Sequence, residues 1–524
     1  MKLSKFWGLV ILVTVAAAGC MPQPATPAPP AAGPAGTLVY GTTAEPSRLN
    51  PIVGPEVHTK AAIDLVFDPL VAVDDQMALI PALATRWEIS ADGRQYTFYL
   101  RQGVRWHDGR EFTADDVKFT LDTIRDPNVK GTIAKTDYTG IQEITTPDKY
   151  TVKITLQAPD ASFLSKLSVG IAPKHLLEGQ DQLNTEFNRK PVGTGPYKVE
   201  EWASGQYIRF KANPDYWGTK PGIDTIVWKF LKDSNILTVQ LLSGEVDAAA
   251  VPSNDISRVR QDRNLSFFET LGFNTYVGFN NERPLFRDRR VRQALNYGLD
   301  KQAIINSILE GQAVPATSEI LPNTYYYNPN VKPWPRDLNR ARALLAEAGW
   351  QPGPDGILQK DGQKFSFKLL TNSGDKVREE IVLFIRQQWR ELGVDVEPVF
   401  LELNTFINDY VLKSNFDAIF IGSSVNVDPD FLYRRFHTSS IAAGHNFLRY
   451  SNPELDRLLE QGRLEANPEK RREIYFRAQE IIYQDSPSIP IFHPKVVYAF
   501  RPQISGVKPS PISLWWNVEE WRLR

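Results

Sequence analysis

Cysteine is almost missing from this sequence, because the 524 residues include a single one, Cys20. No disulfide can therefore form within the chain. The net charge is close to zero, because 60 Lys and Arg residues nearly cancel 61 Asp and Glu residues. No basic run offers a surface for nucleic acid. The six histidines are scattered, without pairing at helical spacing, which argues against a metal site.

Sequence motifs of catalysis are absent as well. No Gly-x-Ser-x-Gly turn, His-Glu-x-x-His pair or glycine-rich phosphate-binding loop occurs, although a hydrolase needs some such group of residues. The sequence thus predicts a protein that is not an enzyme and needs no cofactor. Catalytic groups that lie far apart in the sequence are the alternative.

The amino terminus carries an apolar run at residues 6–18, which follows Lys2 and Lys5. This run is too short to span a bilayer, and a basic start followed by such a run is typical of a secretory signal peptide. The protein is therefore predicted to work outside the cytoplasm.

Cys20 comes directly after Ala17-Ala18-Gly19. This segment resembles the lipobox of bacterial lipoproteins, in which the cysteine is lipidated after cleavage, although Ala17 stands where Leu is commoner. The resemblance implies a signal peptide at 1–19 and a lipid anchor on Cys20, in the periplasm or on the outer face of the cell membrane. Residues 20–36 are almost all Pro, Ala, Gly and Thr, which predicts an extended tether. A plain secretory cleavage and an uncleaved anchor are the alternatives.

The rest of the chain alternates strand and helix patterns. Its length exceeds one ordinary core, so two or three domains are expected. Strand, helix and strand follow one another at 225–251 and again at 365–400, which predicts βαβ units and an α/β fold with two lobes. Alternating residues at 96–101 and 150–156 instead predict strands of hairpins, and a helix is expected to begin at Thr113.

A polar loop after an apolar strand is the first candidate for a ligand site. Residues 416–421 are apolar on both faces, which predicts a strand buried in a parallel sheet. The loop at 422–427 follows the carboxyl end of this strand, where open α/β sheets bind ligands. Asp428 is predicted to cap the next helix, and Pro429 to occupy its first position.

Several motifs occur together, in order, along nearly the whole chain after the tether. They are Phe67-Asp68-Pro69-Leu70, residues 81–87, Trp106-His107-Asp108-Gly109, Gly193-Thr194-Gly195-Pro196-Tyr197, Asn213-Pro214-Asp215-Tyr216-Trp217, residues 289–295 and Tyr450-Ser451-Asn452-Pro453. Together they resemble the family 5 extracellular solute-binding proteins, the peptide, dipeptide and nickel receptors of ABC importers.

That resemblance implies a clamshell fold of the periplasmic-binding-protein type, type II with the extra third domain of the large members, and a ligand cleft between two lobes. It implies a discontinuous lobe I at 37–75, 185–279 and 487–524, an additional domain II at 76–184, and a lobe III at 280–486.

Members of the family close over a solute and present it to a membrane permease. The resemblance therefore implies the substrate-binding component of an ABC importer, a monomer that captures a peptide or peptide-like solute. A non-peptide solute, such as an oligosaccharide or a metal chelate, is the alternative within this class. A surface adhesin or chaperone that uses the same cleft is the alternative outside it.

The loop before Pro429 supplies the first candidate ligand residues. Peptide-binding relatives usually hold the amino group of the ligand with an Asp four residues before the matching Pro. This chain has Val425 there, and a valine side chain cannot pair with an ammonium group. Ser423, Ser424 and Asn426 are the predicted hydrogen-bonding groups of the loop.

Other candidates lie elsewhere in the sequence. Asp428 is either a substitute for the missing carboxylate or only a helix cap. Glu45 follows the first predicted strand, and Tyr276, Trp515 and Trp516 are predicted to offer aromatic surface to a ligand. Burial in a core is the alternative for the three aromatic residues.

Overall fold

A computed structural model describes residues 36–53, 57–132, 135–272, 274–322, 324–423, 426–508 and 510–524. The predicted signal peptide, Cys20 and all but the last residue of the predicted tether lie outside these residues, as do Ser424 and Val425. Among the helices of the described residues, none combines the length and the apolar character that crossing a bilayer requires.

Strands and helices alternate along most of the described chain. The strands are β1 (Thr37–Thr42), β2 (Val71–Val73), β3 (Leu79–Pro81), β4 (Ala84–Ile89), β5 (Gln95–Leu100), β6 (Ile141–Asp148), β7 (Thr151–Leu156), β8 (Tyr197–Ala203), β9 (Tyr207–Ala212), β10 (Thr225–Phe230), β11 (Ala248–Ala250), β12 (Ser266–Leu271), β13 (Thr275–Phe279), β14 (Ala313–Pro315), β15 (Gln351–Pro352), β16 (Leu358–Lys360), β17 (Gln363–Lys364), β18 (Ser366–Asn372), β19 (Asp395–Leu401), β20 (Ala418–Gly422), β21 (Ser488–Phe500), β22 (Ile504–Ser505) and β23 (Arg522–Leu523). The helices are α1 (Val57–Val66), α2 (Ala114–Arg125), α3 (Lys135–Tyr138), α4 (Phe163–Lys166), α5 (Lys174–Leu177), α6 (Ser234–Ser243), α7 (Ile256–Val259), α8 (Pro284–Arg287), α9 (Arg289–Tyr297), α10 (Lys301–Ser307), α11 (Leu338–Glu347), α12 (Lys376–Arg390), α13 (Leu403–Thr405), α14 (Phe431–Phe436), α15 (Pro453–Leu464) and α16 (Pro468–Asp485).

One long strand joins two halves of the main sheet. This 12-stranded sheet runs in the order β19, β18, β20, β13, β21, β11, β1, β10, β9 and β8, and β12 and β14 also pair with β21. The first half of β21 pairs with β13 and β14, and its second half pairs with β11 and β12. We call the half with β1 and β8–β12 lobe I and the half with β13, β14 and β18–β20 lobe III. The two lobes are therefore hinged on a shared strand.

A separate antiparallel sheet, in the order β4, β5, β7 and β6, lies beside lobe I. We call this sheet with α2–α5 domain II. The predicted start of its first long helix is confirmed, because Thr113 is the N-cap of α2 and its backbone N–H donates to the Asp116 carboxylate at 2.9 Å. This reciprocal cap satisfies N–H groups that the first helical turn leaves free.

Both faces of the main sheet are covered. In lobe III, Val277 and Phe420 pack into a core with α9–α12, whereas Ile419 packs into a core with α14–α16 on the other face. In lobe I, Leu38 and Tyr40 belong to the core shared with domain II, and Val39 packs toward α6 and α7. This alternation along each strand explains why strand β20 is apolar on both faces.

The prediction of a parallel sheet around β20 is wrong in part. β20 runs parallel to β18 but antiparallel to β13. Helices cover both faces here, so the strand is apolar on both sides whatever the direction of its neighbours. The apolar pattern therefore predicted the burial of β20 correctly, but it did not determine the directions of the neighbouring strands.

Three of the sequence motifs meet at one buried carboxylate. Asp68 accepts hydrogen bonds from Thr194 Oγ1 at 2.8 Å, Trp217 Nε1 at 2.8 Å and Tyr216 OH at 3.1 Å. Gly193 lies so close to the end of α1 that an added Cβ would stand 1.8 Å from a backbone oxygen. These motifs hold lobe I together, which gives a structural reason for their occurrence in one chain.

Candidate ligand-binding site

A cavity of about 550 Å³, here called the cleft cavity, lies between lobe III and the side formed by α1 and domain II. Its walls are lined by Pro51, Ile63, Ser162, Lys166 and Val169 on one side, and by Asn426, Val427, Phe431, Tyr433 and Arg434 on the other. Small-molecule sites typically occupy roughly 300 to 1,000 Å³ and combine apolar walls with a few polar groups. The cleft cavity has the size and lining of such a site.

Direct contacts close the cleft cavity along domain II. The backbone N–H of Ala161 donates to the carbonyl of Arg463 at 2.7 Å. Arg434 lies 3.4 Å from Asp137. The Ser162 hydroxyl, which donates to Asp160 at 2.6 Å, lies 3.5 Å from an Asp430 carboxylate oxygen. Each of these contacts joins domain II to lobe III, so the structure represents an arrangement in which domain II meets lobe III across the cleft cavity.

The charged groups of the cleft cavity are balanced. Lys60 pairs with Asp64 at 2.8 Å, Lys166 with Asp160 at 2.7 Å, and Arg463 with Asp430 at 2.7 Å. Among the described residues that line the cavity, every Lys, Arg and Asp has an ion partner. A ligand with a large unpaired charge would find no free counter-ion here, so the lining favours a neutral or zwitterionic solute.

Asp428 lies on the wall of the cleft cavity, but its carboxylate is already engaged. Both of its oxygens accept hydrogen bonds from the Arg471 guanidinium at 2.7 Å. Burial opposes the charge of Arg471, but the hydrogen bonds to Asp428 raise the pKa of Arg471 well above its usual range. The arrangement is the two-pronged geometry that an arginine and a carboxylate prefer.

The predicted helix start after Asp428 is displaced by two residues. Asp428 accepts a hydrogen bond from the backbone N–H of Asp430 at 2.8 Å, but α14 begins at Phe431 and Asp430 is its N-cap. Pro429 therefore belongs to the turn before the helix, and its placement at the first helical position is wrong. The Asp428 side chain shapes this turn and holds Arg471 at the same time.

Ser423 and Asn426 are the other residues of this loop that the structure describes and the sequence predicts as ligand groups. The backbone N–H of Ser423 donates to the carbonyl of Asn274 at 2.9 Å, and Asn426 lines the cleft cavity. Ser424 and Val425 fall outside the described residues. Of the predicted ligand residues that the structure describes, Asn426 and Asp428 are the two that line the cleft cavity.

Tyr276 is fully buried on β13. Its hydroxyl accepts a hydrogen bond from Arg435, whose Nε lies 3.7 Å from the Glu319 carboxylate. Burial raises the pKa of Tyr276 to about 12, against the opposing effect of Arg435. The side chain thus belongs to a buried polar cluster within lobe III, and ligand contact by Tyr276 stays a prediction.

Glu45 is held within lobe I. Its carboxylate accepts hydrogen bonds from Trp202 Nε1 at 2.8 Å, from the Gly205 backbone N–H at 3.0 Å and from Arg189 at 3.1 Å. Burial alone would raise the pKa of Glu45, but these hydrogen bonds lower it below its usual value. The Glu45 carboxylate thus connects the segment after β1 to the β8–β9 hairpin through hydrogen bonds.

The two tryptophans near the carboxyl terminus lie apart from the cleft cavity. Trp515 is buried against Tyr40, Trp228 and Trp521, with ring centroids 5.0 to 5.5 Å apart. Trp516 is half-buried, and its indole N–H donates to the carbonyl of Lys508. Aromatic residues in such a cluster stabilise lobe I by burial and edge contacts.

Sequence reasoning missed the domain II wall of the cleft cavity. Ser162 and Lys166 come from α4 and the turn before it, and Arg434 comes from the last turn of α14. None of these belongs to a recognisable motif, and each becomes a wall residue only when domain II meets lobe III. Within the described residues, no cluster of His, Cys, Asp and Glu side chains could hold a metal ion.

A hinged α/β sheet with a polar and apolar cavity between its lobes defines a two-lobed solute-binding protein. The chain belongs to a family described as bacterial extracellular solute-binding proteins, family 5, whose middle region matches residues 78–443. The family and the clamshell fold predicted from the motifs are thereby confirmed.

Known relatives match this chain over nearly its whole length. The oligopeptide-binding protein AppA of Bacillus subtilis (strain 168) is 32% identical over 499 residues, which cover 93% of this chain and 92% of that protein. The structure of AppA from Bacillus subtilis in complex with a nonapeptide has a TM-score of 0.79 at 31% identity and covers 93% of this chain and 99% of that one. The structure of NikZ from Campylobacter jejuni in complex with Ni(L-His) has a TM-score of 0.81 at 32% identity, with 93% and 100% of the two chains covered.

Proposed function

We propose that this protein is the substrate-binding component of an ABC importer and that it captures a short peptide or peptide-like solute in the cleft cavity. The observation that carries the proposal is the balanced lining of that cavity, which suits a zwitterion with apolar side chains. The relative named an oligopeptide-binding protein and its nonapeptide complex support the same class of ligand.

The position of the cleft cavity between two walls gives a physical reason for the protein to close around its ligand. A ligand that contacts both walls stabilises the closed arrangement more than the open one, because in the open arrangement it loses one wall. Domain II and lobe III already meet through the Asp137–Arg434 and Ser162–Asp430 contacts. The permease would then receive a protein whose surface differs between the empty and the loaded states.

A metal chelate is the second candidate ligand. The NikZ structure, similar over the same share of the chain, is described as a complex with Ni(L-His). A chelate carries its own ligands, so it needs a cavity of suitable shape rather than a set of protein ligands for the metal. An oligosaccharide remains a further candidate within the class, and an adhesin or chaperone role remains the alternative outside it.

The proposal also covers the attachment of the chain to a membrane and its division into domains. We infer that Cys20 carries a lipid anchor, that residues 20–36 form the tether and that the mature protein is an extracytoplasmic monomer; the sequence supports these points. The domain bounds predicted from the sequence remain a proposal. Cores around α12 and α16 that are separate from the core around α2 support a distinct lobe III. The core around α2 is shared by lobe I and domain II, and β13, which the bounds assign to lobe I, packs in the core of lobe III. The protein is proposed to bind its solute without chemical change.

The test is ligand discovery on the purified protein. Mass spectrometry of small molecules released by denaturation should reveal peptides, and added oligopeptides should change the fluorescence of the 12 tryptophans and raise the melting temperature. A nickel–histidine complex serves as the competing probe. Failure of varied peptides to change either signal, together with a response to the chelate, would exclude the peptide proposal in favour of the second candidate.

A further inference from the structure

The hairpin formed by β2 and β3 carries a methionine at its tip. The sequence has three methionines, of which Met1 and Met21 fall in the predicted signal peptide and tether, and Met77 alone belongs to the described residues. Val71 and Leu79, one on each strand of the hairpin, pack in or against the core shared by lobe I and domain II. The hairpin is therefore an arm of that half of the molecule, and Met77 stands at its end.

Met77 occupies a turn position that usually belongs to glycine. The backbone N–H of Asp74 donates to the carbonyl of Ala78 at 3.0 Å, and the backbone N–H of Met77 donates to the carbonyl of Asp74 at 3.2 Å. In such three-residue hairpin loops the third residue adopts a positive φ, which glycine accepts without steric cost. Met77 has a φ of 64°. A methionine strains the backbone here, so its side chain calls for a reason outside the turn.

The Met77 side chain faces lobe III. It lines a small cavity of about 40 Å³, here called the recess, whose other lining residues belong to lobe III and include Ile320, Tyr325, Tyr326 and Pro429. The recess also shares Asn426, Val427 and Phe431 with the cleft cavity. The hairpin tip thus meets lobe III beside the cleft cavity, at a place separate from the contacts that domain II makes with lobe III.

The lobe III side of the recess is held in shape by the ion pair on the cleft wall. The Tyr326 hydroxyl accepts a hydrogen bond from Arg471 at 3.1 Å, and the same guanidinium binds Asp428, the residue before Pro429. The rings of Tyr325 and Tyr326 lie edge to face, 5.0 Å apart. A methionine side chain suits such a surface, because it is apolar and flexible and its sulfur interacts favourably with aromatic rings.

We propose that Met77 is a latch between the two halves of the molecule. When the cleft closes over a solute, the Met77 side chain enters the recess beside Tyr325, Tyr326 and Pro429, and this contact slows the release of the solute. Met77 is half-buried in the present arrangement. Opening withdraws its side chain from the aromatic rings and exposes it to water, which favours the closed arrangement. The effect on release rests on the function proposed for the cleft cavity, whereas the contact itself does not.

Photo-cross-linking of the full-length protein tests the contact without a solute. Growth with photo-methionine replaces the methionines by a diazirine analogue, and Met77 is the one described position that takes it up. Irradiation should join the hairpin to a lobe III peptide that contains Tyr325 or Pro429, as identified by mass spectrometry after proteolysis. If no cross-link from Met77 reaches lobe III, the latch is overturned.

Variants of the turn test the effect on release. Met77→Gly removes the side chain and suits the positive φ, so the melting temperature should hold or rise. Dissociation of tetraalanine, followed by stopped-flow tryptophan fluorescence, should become about two- to tenfold faster in this variant. Met77→Leu keeps an apolar side chain and should release tetraalanine at nearly the natural rate. Gln76→Gly is the matched control, because Gln76 is exposed in the same turn. An unchanged rate in Met77→Gly, or an equal acceleration in Gln76→Gly, contradicts the proposal.

A double-mutant cycle across the recess assigns the effect to the contact. Tyr325→Ala should also speed the release of tetraalanine, and the double variant with Met77→Gly should be no faster than the faster single variant, because one interaction is lost in all three. Independent effects of the two substitutions would overturn the latch. If tetraalanine and other oligopeptides change no signal in the natural protein, the function proposed for the cleft cavity fails, while cross-linking still decides whether Met77 reaches lobe III.

Discussion

Arg471 and Asp428 form a two-pronged ion pair, with 2.7 Å between each nitrogen and its oxygen, and the Arg471 side chain is only 4% exposed. Replacing Arg471 by Gln leaves the Asp428 carboxylate on the cavity wall without its counter-ion. Loss of one partner of a buried pair typically costs about 3 to 5 kcal/mol. Arg471→Gln should lower the free energy of unfolding by about this amount in chemical denaturation, and ligand affinity should fall because the turn before α14 loses its support.

Arg472→Gln is the matched control for that measurement. Arg472 is the next residue on α16 but is exposed, and its guanidinium lies over the rings of Tyr325 and Phe476. Its replacement should change stability by less than about 1 kcal/mol, as is usual for surface sites. Equal losses in the two variants would show that the Asp428–Arg471 pair has no special role in the wall.

Arg434 and Asp137 face each other across the closed cleft at 3.4 Å. Their side chains are 46% and 30% exposed, so solvent screens the attraction and the pair should contribute about 0.2 to 1 kcal/mol. Because the contact exists only when domain II meets lobe III, Arg434→Gln and Asp137→Asn should each speed ligand dissociation, by up to about fivefold. Stopped-flow fluorescence with the identified ligand measures this rate.

A double-mutant cycle distinguishes the contact from general effects of the two side chains. The double variant should dissociate no faster than either single variant, because the same interaction is lost in all three. Lys149→Gln breaks an ion pair with Glu111 that lies within domain II and should leave dissociation unchanged. Additive effects of Arg434→Gln and Asp137→Asn would mean that the two residues act independently.

One prediction concerns Val425. It rests on the sequence alone, because Val425 lies outside the described residues. The resemblance to the peptide receptors of this family implies an Asp at this position that pairs with the ligand's amino group. Val425→Asp should therefore shift preference toward peptides with free amino termini. Paired titrations with a free and an amino-acetylated peptide measure the shift, and an unchanged ratio of the two affinities would show that this position does not contact the amine.

Local patterns in the sequence were sufficient to predict much of the fold. The cap at Thr113 and Asp116 is read from residues three apart, and the buried strand β20 is read from its own apolar residues. The motifs around Asp68, Thr194 and Trp217 resemble those of the family, and in the structure their side chains meet in one network. Such features depend on neighbours in the chain or on a group of residues that recurs as a unit.

The site was less predictable because its contacts join distant residues. Asp428 has the sequence pattern of a cap, but its main partner is Arg471, 43 residues further on. Glu45 has the sequence position of a ligand group, but its hydrogen bonds from Trp202 and Arg189 cross lobe I. The wall at Ser162 exists only through the docking of domain II on lobe III. No local pattern encodes these pairings.

Lys301 makes the stability of lobe III depend on pH. It is 5% exposed at the start of α10, and burial lowers its pKa from 10.5 to about 7. Between pH 7 and 10.5 the unfolded chain therefore binds a proton at this lysine that the folded chain does not, so this lysine makes stability rise with pH over that window. Below about pH 7 both states are protonated, and the cost of the buried charge is constant.

Lys301→Met should remove that cost. At pH 6 the variant should be more stable than the natural protein by about 1 to 4 kcal/mol, the gain seen when buried ionic groups are replaced by apolar residues. The gain should shrink as the pH rises from 7 to 10.5, because the natural protein is then relieved of the charge in the folded state. Lys470→Met, at an exposed position of α16, should show no such trend. A gain that stays constant from pH 6 to pH 10, measured by denaturant unfolding, would mean that Lys301 remains charged in the folded protein and finds a partner there.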